Sequence, residues 1–423
     1  MDAVVSFLVD DILRSPAIFL GILALIGLLI QKKELTEIIS GTIKTIVGVV
    51  ILDQGVGILV GSILPLAGAF EVLYQVPGDT FSPMGADAFI GEYGSQIGLV
   101  MLFSFLLNLL VARFTKLKNV FLTGHMLFWF PFIFIAVAVD GGMTGNAVLI
   151  FATIMTSLYI ILAPAVIAPF VARVTGNDSF TLGHPTIGLS LIAAYVARWT
   201  GDKSKSTEDI KFPRQLEFLR EITITSSLVI FIVYLVMGLL IGGDRTGVFG
   251  DANLFTFSLM QGILFGAGLT IMLMGVRMML AEIIPAFKGI ADKVIPGARP
   301  ALDCPIIFPY APNAVIIGFI VSMISSTVAL VLIGATGMFT FVLLPLTITC
   351  FFEIGTAAVF GNAEGGLRGA IIGSAVAGVV MIFLLAFSLP FFSTTVADWM
   401  LVFGGNDFSL WGIVGGAIAN VFG

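Results

Sequence analysis

The sequence predicts an all-α polytopic membrane protein. Of 423 residues 58% are hydrophobic and only 11% charged, and mean hydropathy is +1.11, whereas a soluble domain carries roughly 25% charged residues. Apolar runs recur along the whole chain, at about 15–31, 41–70, 96–112, 120–139, 146–172, 179–200, 222–242, 254–281, 301–333, 335–352, 369–390 and 408–422. Most are long enough to cross a hydrocarbon core of about 30 Å as helices, and the length suits about ten to twelve of them. The longest hydrophilic stretch, 201–221, is too short to fold alone. Residues 1–423 therefore read as a single integral membrane transport unit, and soluble chemistry must come from partners.

Each run takes its orientation from the basic residues around it. Lys32 and Lys33, then Arg113, Lys116 and Lys118, then Arg198 through Arg220, then Lys288, Lys293 and Arg299 form four clusters. All four should be cytoplasmic, which requires an even number of crossings between neighbours. Three runs separate Lys118 from Arg198, so one must enter and leave on the same face. Run 179–200 is the candidate, because Ser179-Phe-Thr-Leu-Gly-His-Pro-Thr-Ile-Gly interrupts the helical pattern at its start. The N-terminus, with Asp2, Asp10 and Asp11, is then expected outside; it has neither the basic region nor the cleavage site of a signal peptide. Stretch 71–95, with its Pro-Gly and acids, reads as an outer loop. The 48 glycines and 17 prolines suit tight helix contacts and discontinuous helices, although both are common in membrane helices anyway.

Other classes are unsupported. A net charge of −6 without a basic stripe offers nothing to nucleic acid. Cys304 and Cys350 show neither disulfide nor zinc spacing and read as small buried residues.

Asp303 is the leading functional residue. It stands in the otherwise uncharged stretch Ala301-Leu-Asp-Cys-Pro-Ile-Ile-Phe-Pro-Tyr-Ala-Pro, where Pro305, Pro309 and Pro312 break helix. A carboxylate at bilayer depth costs roughly 2.5–3.5 kcal/mol on insertion scales, and irregular backbone there is tolerated only in protein or along a cavity. The only two histidines, in Leu122-Thr-Gly-His125 and Leu182-Gly-His184-Pro-Thr, share one local grammar. An imidazole both donates and accepts, which suits a sugar hydroxyl. A metal is disfavoured, because no Cys or second His lies at ligand spacing. Glu353 is a further buried acid. Asp53-Gln54 fits helix packing or a substrate contact equally. Arg277 and Glu282 read as a structural contact at a helix end, and Trp129, Trp199, Trp399 and Trp411 as interfacial anchors.

At these residues the chain resembles the ascorbate-type IIC permeases of the bacterial phosphotransferase system, within the ascorbate/galactitol superfamily. The matching pieces are Gly41-Thr-Ile-Lys-Thr-Ile-Val-Gly48, Leu122-Thr-Gly-His125, Gly183-His184, Gly275-Val-Arg-Met278 with Ala281-Glu282, Ile295-Pro-Gly-Ala298, Asp303-Cys304, Tyr310-Ala-Pro-Asn-Ala-Val315 and Val359-Phe360 with Asn362. They keep family order from about residue 41 to 370. The resemblance implies about eleven transmembrane helices with re-entrant or broken segments, a substrate-holding core domain and a V-shaped scaffold domain interleaved in sequence, and a homodimer in the lipid of a bacterial plasma membrane. It also implies that the chain is a transporter subunit without cofactor. Its small sugar or sugar-acid substrate, L-ascorbate or a related compound, would be phosphorylated by the phosphocysteine of a soluble IIB partner supplied by IIA, and neither cysteine here would be that phosphocysteine. Substrate contacts are then expected at His125, His184 and Asp303, with Gly124, Pro185, Thr186 and Glu353 beside them. Two departures bear on the substrate. Pro185-Thr186 stands where ascorbate carriers have glutamines, and Glu353 where an uncharged polar residue is expected; an added acid disfavours an anion unless protonated or paired. The competing class is an ion-coupled secondary transporter using Asp303, Glu353 or Asp53; a channel or scaffold leaves the clustered polar breaks unexplained.

Overall fold

The computed structural model describes residues 15–74, 83–210, 218, 221–336, 338–339, 343 and 346–423. The N-terminal acids and Pro77-Gly78 lie outside them; of the stretch 71–95 expected as a loop, 71–74 and 86–95 are helical instead, because the helices flanking it run further than their apolar runs. Helices dominate. In chain order the α-helices of seven residues or more are α1 (Pro16–Ile30), α2 (Leu35–Tyr74), α3 (Ala86–Phe114), α4 (Gly124–Asp140), α5 (Asn146–Thr175), α6 (Ile187–Thr200), α7 (Ile222–Leu240), α8 (Leu254–Lys293), α9 (Pro312–Thr336), α10 (Gly355–Ser388), α11 (Ala397–Phe403) and α12 (Asp407–Phe422). Among the described residues, six stretches are long and apolar enough to cross a membrane, and five shorter apolar helices accompany them. The chain is a multi-pass membrane protein.

The helices pack in two groups. In the first, α2 and α8 form a long pair, with α1 and α7 against them. Their contact is a seam of glycines: Gly48 and Gly55 on α2 are seven residues apart, as are Gly268 and Gly275 on α8. A Cβ at Gly48 would lie 2.6 Å from Met279 N, and one at Gly268 2.9 Å from Leu59 N. Partner numbers fall as α2 numbers rise, so the helices run antiparallel with backbones nearly touching. Both are 40 residues long, well beyond the apolar runs 41–70 and 254–281 that mark them in the sequence. In the second group α3, α4 and α5 pack together, and α10 lies between α6 and α9.

At the centre is a feature that expectation of helix alone does not anticipate: a parallel three-stranded sheet of β1 (Asn119–Phe121), β2 (Thr181–Leu182) and β3 (Arg299–Leu302), in the order β1-β3-β2. Phe121 pairs with Ala301, and Leu182 with Leu302. A side chain of α3 pairs with the backbone of its β1 edge. Buried Asn108 on α3 acts as a substitute strand, donating from Nδ2 to Asn119 O at 3.0 Å and accepting at Oδ1 from Phe121 N at 2.9 Å. On the other edge Thr181 Oγ1 donates to Pro164 O at 3.0 Å.

Segment 179–200 is broken rather than one continuous helix, with β2 and the turn 183–186 ahead of its helical part. Its helical part, α6, has 14 residues, about 21 Å at about 1.5 Å per residue, too short to cross. Its two ends also return to one place. Buried Glu364 on α10 pairs with Arg173 in the last turn of α5, before the segment begins. It pairs as well with Arg198 at 3.0 Å and Lys203 at 3.4 Å, where the segment ends. Directly after Glu364, α10 is interrupted at Gly365 and Gly366 (φ +62°), whose backbone meets the chain leaving α6 through Asp202 N to Gly365 O at 2.8 Å.

Candidate functional site

Each strand ends at a site residue. The chain leaves β1 through Leu122-Thr123 and opens α4 with Gly124-His125; it leaves β2 into Gly183-His184-Pro185-Thr186 before α6; it leaves β3 directly into Asp303. Because β3 is the central strand, Asp303 falls between the histidines. Its Oδ2 lies 3.5 Å from His125 Nε2 and its Oδ1 3.5 Å from His184 Nε2. Oδ1 also accepts from Cys304 N at 2.7 Å, so Asp303 is the N-cap of the 3₁₀ turn Cys304–Tyr310 and its side chain is oriented by backbone. Proline at the start of that turn needs no donor there. Three residues separated by more than fifty positions each thus converge through strand pairing.

They line a cavity of about 300 Å³ with Asp53, Glu353, Trp129, Trp399, Phe352 and Phe408, at the small end of the range for small-molecule sites. No described lining residue is Lys or Arg. Two buried polar atoms among them have no protein partner, His184 Nδ1 and Glu353 Oε2. Buried polar atoms are seldom left unpaired, so these two stand out among the lining residues. Glu353 sits on a π-helical turn, Cys350–Ile354, ahead of α10, a distortion that recurs at functional sites. Its Oε1 accepts from Asn406 Nδ2 at 2.8 Å.

The other expected residues are placed as follows. Gly124 lines a smaller adjoining cavity with Asp53, Thr123, His125 and Asp303. Pro185 and Thr186 do not line the main one. Thr186 Oγ1 instead donates to Glu353 O at 2.8 Å and lies 3.0 Å from Ser190 Oγ, while Pro185 O accepts from Asp407 N at 2.9 Å. Asp53, open between packing and contact in the sequence, comes from the first helix group to face the site. Glu282 pairs with Lys44 at 3.3 Å, and Asn362 accepts from Thr207 N at 2.8 Å. Both cysteines are free and buried. Two tryptophans depart from interfacial anchoring: Trp129 and Trp399 line the cavity with ring centroids 4.8 Å apart, offering an apolar face to a sugar ring. Trp129 stands among phenylalanines and nothing local marks it, whereas Trp399 directly follows Asp398.

The spacing argument against a metal does not survive folding, because the ligands come from separate segments. Ligand atoms of His125, His184 and Asp303 all lie within 4.8 Å of one another. Two atoms on one zinc ion, each at about 2.0–2.2 Å, are at most about 4.4 Å apart. Both Asp303–histidine separations, at 3.5 Å, fall inside that limit, so the three side chains are also spaced as metal ligands.

Within a multi-pass membrane protein, a cavity of two imidazoles and carboxylates beside aromatic rings has the chemistry to take a small polar solute. The chain belongs to the family of PTS system sugar-specific permease components (EIIC-GAT), whose profile matches residues 11–407. It is also similar to the "Ascorbate-specific PTS system EIIC component" of Mycoplasma pneumoniae, with 28% identity across 97% of this chain and 70% of that protein.

Proposed function

We propose that this protein binds a small sugar or sugar acid, L-ascorbate or a related compound, in the His125–His184–Asp303 cavity and carries it across the bacterial plasma membrane for phosphorylation by a soluble IIB partner. The observation that carries this is the convergence of three costly polar residues on one sugar-sized cavity. Asp303 accepts from substrate hydroxyls by charge-assisted bonds. The histidines, each able to donate and accept, read the neighbouring hydroxyls, and Glu353 Oε2 meets a further polar group. Trp129 and Trp399 cover the ring.

The two helix groups suggest the division of labour. We read α1, α2, α7 and α8 as the scaffold that forms a homodimer, and the rest as the core that holds the substrate. Asp53 then reaches the site from the scaffold, and a core that moves relative to α2 takes His125 and Asp303 away from it. At the inner face, IIB with its phosphocysteine, recharged by IIA, would convert the substrate to a phosphate ester that no longer fits the acidic cavity. This makes uptake irreversible.

The test is uptake into membrane vesicles containing this protein, with labelled L-ascorbate, pentoses, pentitols and hexitols, in the presence and absence of purified IIA, IIB and phosphoryl donor. Phosphorylated product that accumulates only with the soluble proteins is expected. Accumulation of unmodified solute driven by an ion gradient would overturn the proposal.

A further inference from the structure

Asp407, at the start of α12, is a buried carboxyl that plays no part in the site described above. It is 2% exposed, and no cationic side chain among the described residues pairs with it. Its Oδ1 accepts from Gly188 N at 2.9 Å and its own N–H donates to Pro185 O at 2.9 Å, so it holds both ends of the turn that follows His184. Between Asp407 and His184 stands Tyr159 of α5, fully buried and stacked on Phe130 with ring centroids 3.7 Å apart. The Tyr159 oxygen is 2.8 Å from Asp407 Oδ2 and 3.0 Å from His184 O.

A proton count decides the state of this chain. Tyr159 has one hydroxyl proton, and the His184 carbonyl can only accept. If Tyr159 donates to His184 O, the short contact to Asp407 needs a proton from Asp407. If Asp407 were ionised, Tyr159 would turn to it. His184 O would then lose this donor, and a carboxylate would stay buried without a cation, which costs several kcal/mol. Only the neutral carboxyl gives both contacts a proton.

We propose that Asp407 is a positioning residue that holds His184 in the site as a protonated, neutral carboxyl, through Asp407 Oδ2–H donating to Tyr159 Oη and Tyr159 Oη–H donating to His184 O. The neighbouring Asn406 does the same for the other half of the site, donating to Glu353 Oε1 while its Oδ1 caps Phe408 N at 3.0 Å. The N-terminus of α12 is thus a clip that sets His184 and Glu353 relative to one another. The His184 role rests on the substrate site proposed above, whereas the proton on Asp407 does not.

The experiment uses the full chain in lipid nanodiscs, with Asp407→Asn, Asp407→Leu and Tyr159→Phe beside the parent. Infrared difference spectra at neutral pH, parent minus Asp407→Asn, should show the carbonyl stretch of a protonated carboxyl. A difference at the carboxylate stretch instead overturns the proposal. Asn can still donate from Nδ2 to Tyr159 and accept from Gly188, so Asp407→Asn should melt like the parent. It should bind the tightest of L-ascorbate, a pentitol and a hexitol within about twofold of the parent, whereas Asp407→Leu loses about fivefold to a hundredfold. Should the Leu variant not fold, Tyr159→Phe, which removes the relay and keeps the ring, must show the loss with little change in melting. Asp407→Asn binding as poorly as Asp407→Leu or Tyr159→Phe would show that the charge matters and end the proposal. A parent that binds none of the probes would count against the substrate reading alone, and the infrared result would still decide the proton.

Discussion

Replacing Asp303 by Asn separates the chemistry of the site from its architecture. The Oδ1 atom that accepts from Cys304 N at 2.7 Å has an equivalent in Asn, and Asn is as good an N-cap as Asp, so the turn and the strand before it should stay in place. What changes is charge and one acceptor. Oδ2, 3.5 Å from His125 Nε2, is free to accept a substrate hydroxyl, and Oδ1 can share one with His184. A hydrogen bond to a charged group contributes about 1.5–3 kcal/mol and a neutral one about 0.5–1.5, so each bond loses about 1–1.5 kcal/mol. Two bonds give about 2–3 kcal/mol, or about thirtyfold to 150-fold in affinity. Either histidine replaced alone gives up one neutral bond of about 1 kcal/mol, about fivefold. The assay is equilibrium binding to the purified protein in nanodiscs of whichever of L-ascorbate, pentoses, pentitols and hexitols the parent holds most tightly, with a thermal melt on the same samples. An Asp303→Asn protein that melts and binds as the parent does would refute the reasoning and leave Asp303 as a cap.

The acid at 353 gives a selectivity prediction: it is buried and no cationic side chain among the described residues pairs with it, so it should be neutral, and Glu353→Gln, which keeps the acceptor for Asn406 Nδ2, should leave the ranking of anionic L-ascorbate against a neutral pentitol in competition binding within about twofold of the parent. Gly55→Val places carbon into the α2–α8 seam against Met272; overpacking of this kind costs about 1–3 kcal/mol, and the thermal melt should fall without a matching change in substrate ranking. Single-cysteine labelling at Lys116 and at Lys203 should place both on the cytoplasmic face. Labelling from opposite faces would contradict the re-entrant path of 179–200.

The sequence makes legible what depends on local contrast. His125, His184 and Asp303 stand out because each is a polar group in apolar surroundings, and the broken segment because the basic residues around it cannot be placed with three crossings. The strands are not legible. With two to four residues each they are too short to show alternation, and they exist only because distant segments meet. Tyr159 lies within a long apolar helix, where an aromatic residue is ordinary, and its hydroxyl acquires meaning only from His184 and Asp407. Pro185-Thr186 shows that a sequence neighbour of His184 need not share its cavity: Thr186 turns its hydroxyl to the Glu353 carbonyl.

The central sheet also constrains how the protein is made. Its pairs join residues near 120 and near 182 to residues near 301, so no strand has a partner until most of the chain has been synthesised. Until then these segments carry unpaired backbone donors and acceptors, which the hydrocarbon interior does not tolerate. They must wait at the membrane surface or in the translocation machinery while α5, α8 and other long helices insert. The pairing of β3 between β1 and β2 would then mark the end of assembly. Because the binding residues sit at the ends of those strands, substrate affinity should arise only in completed molecules, and a truncated or stalled chain should be inserted but unable to bind.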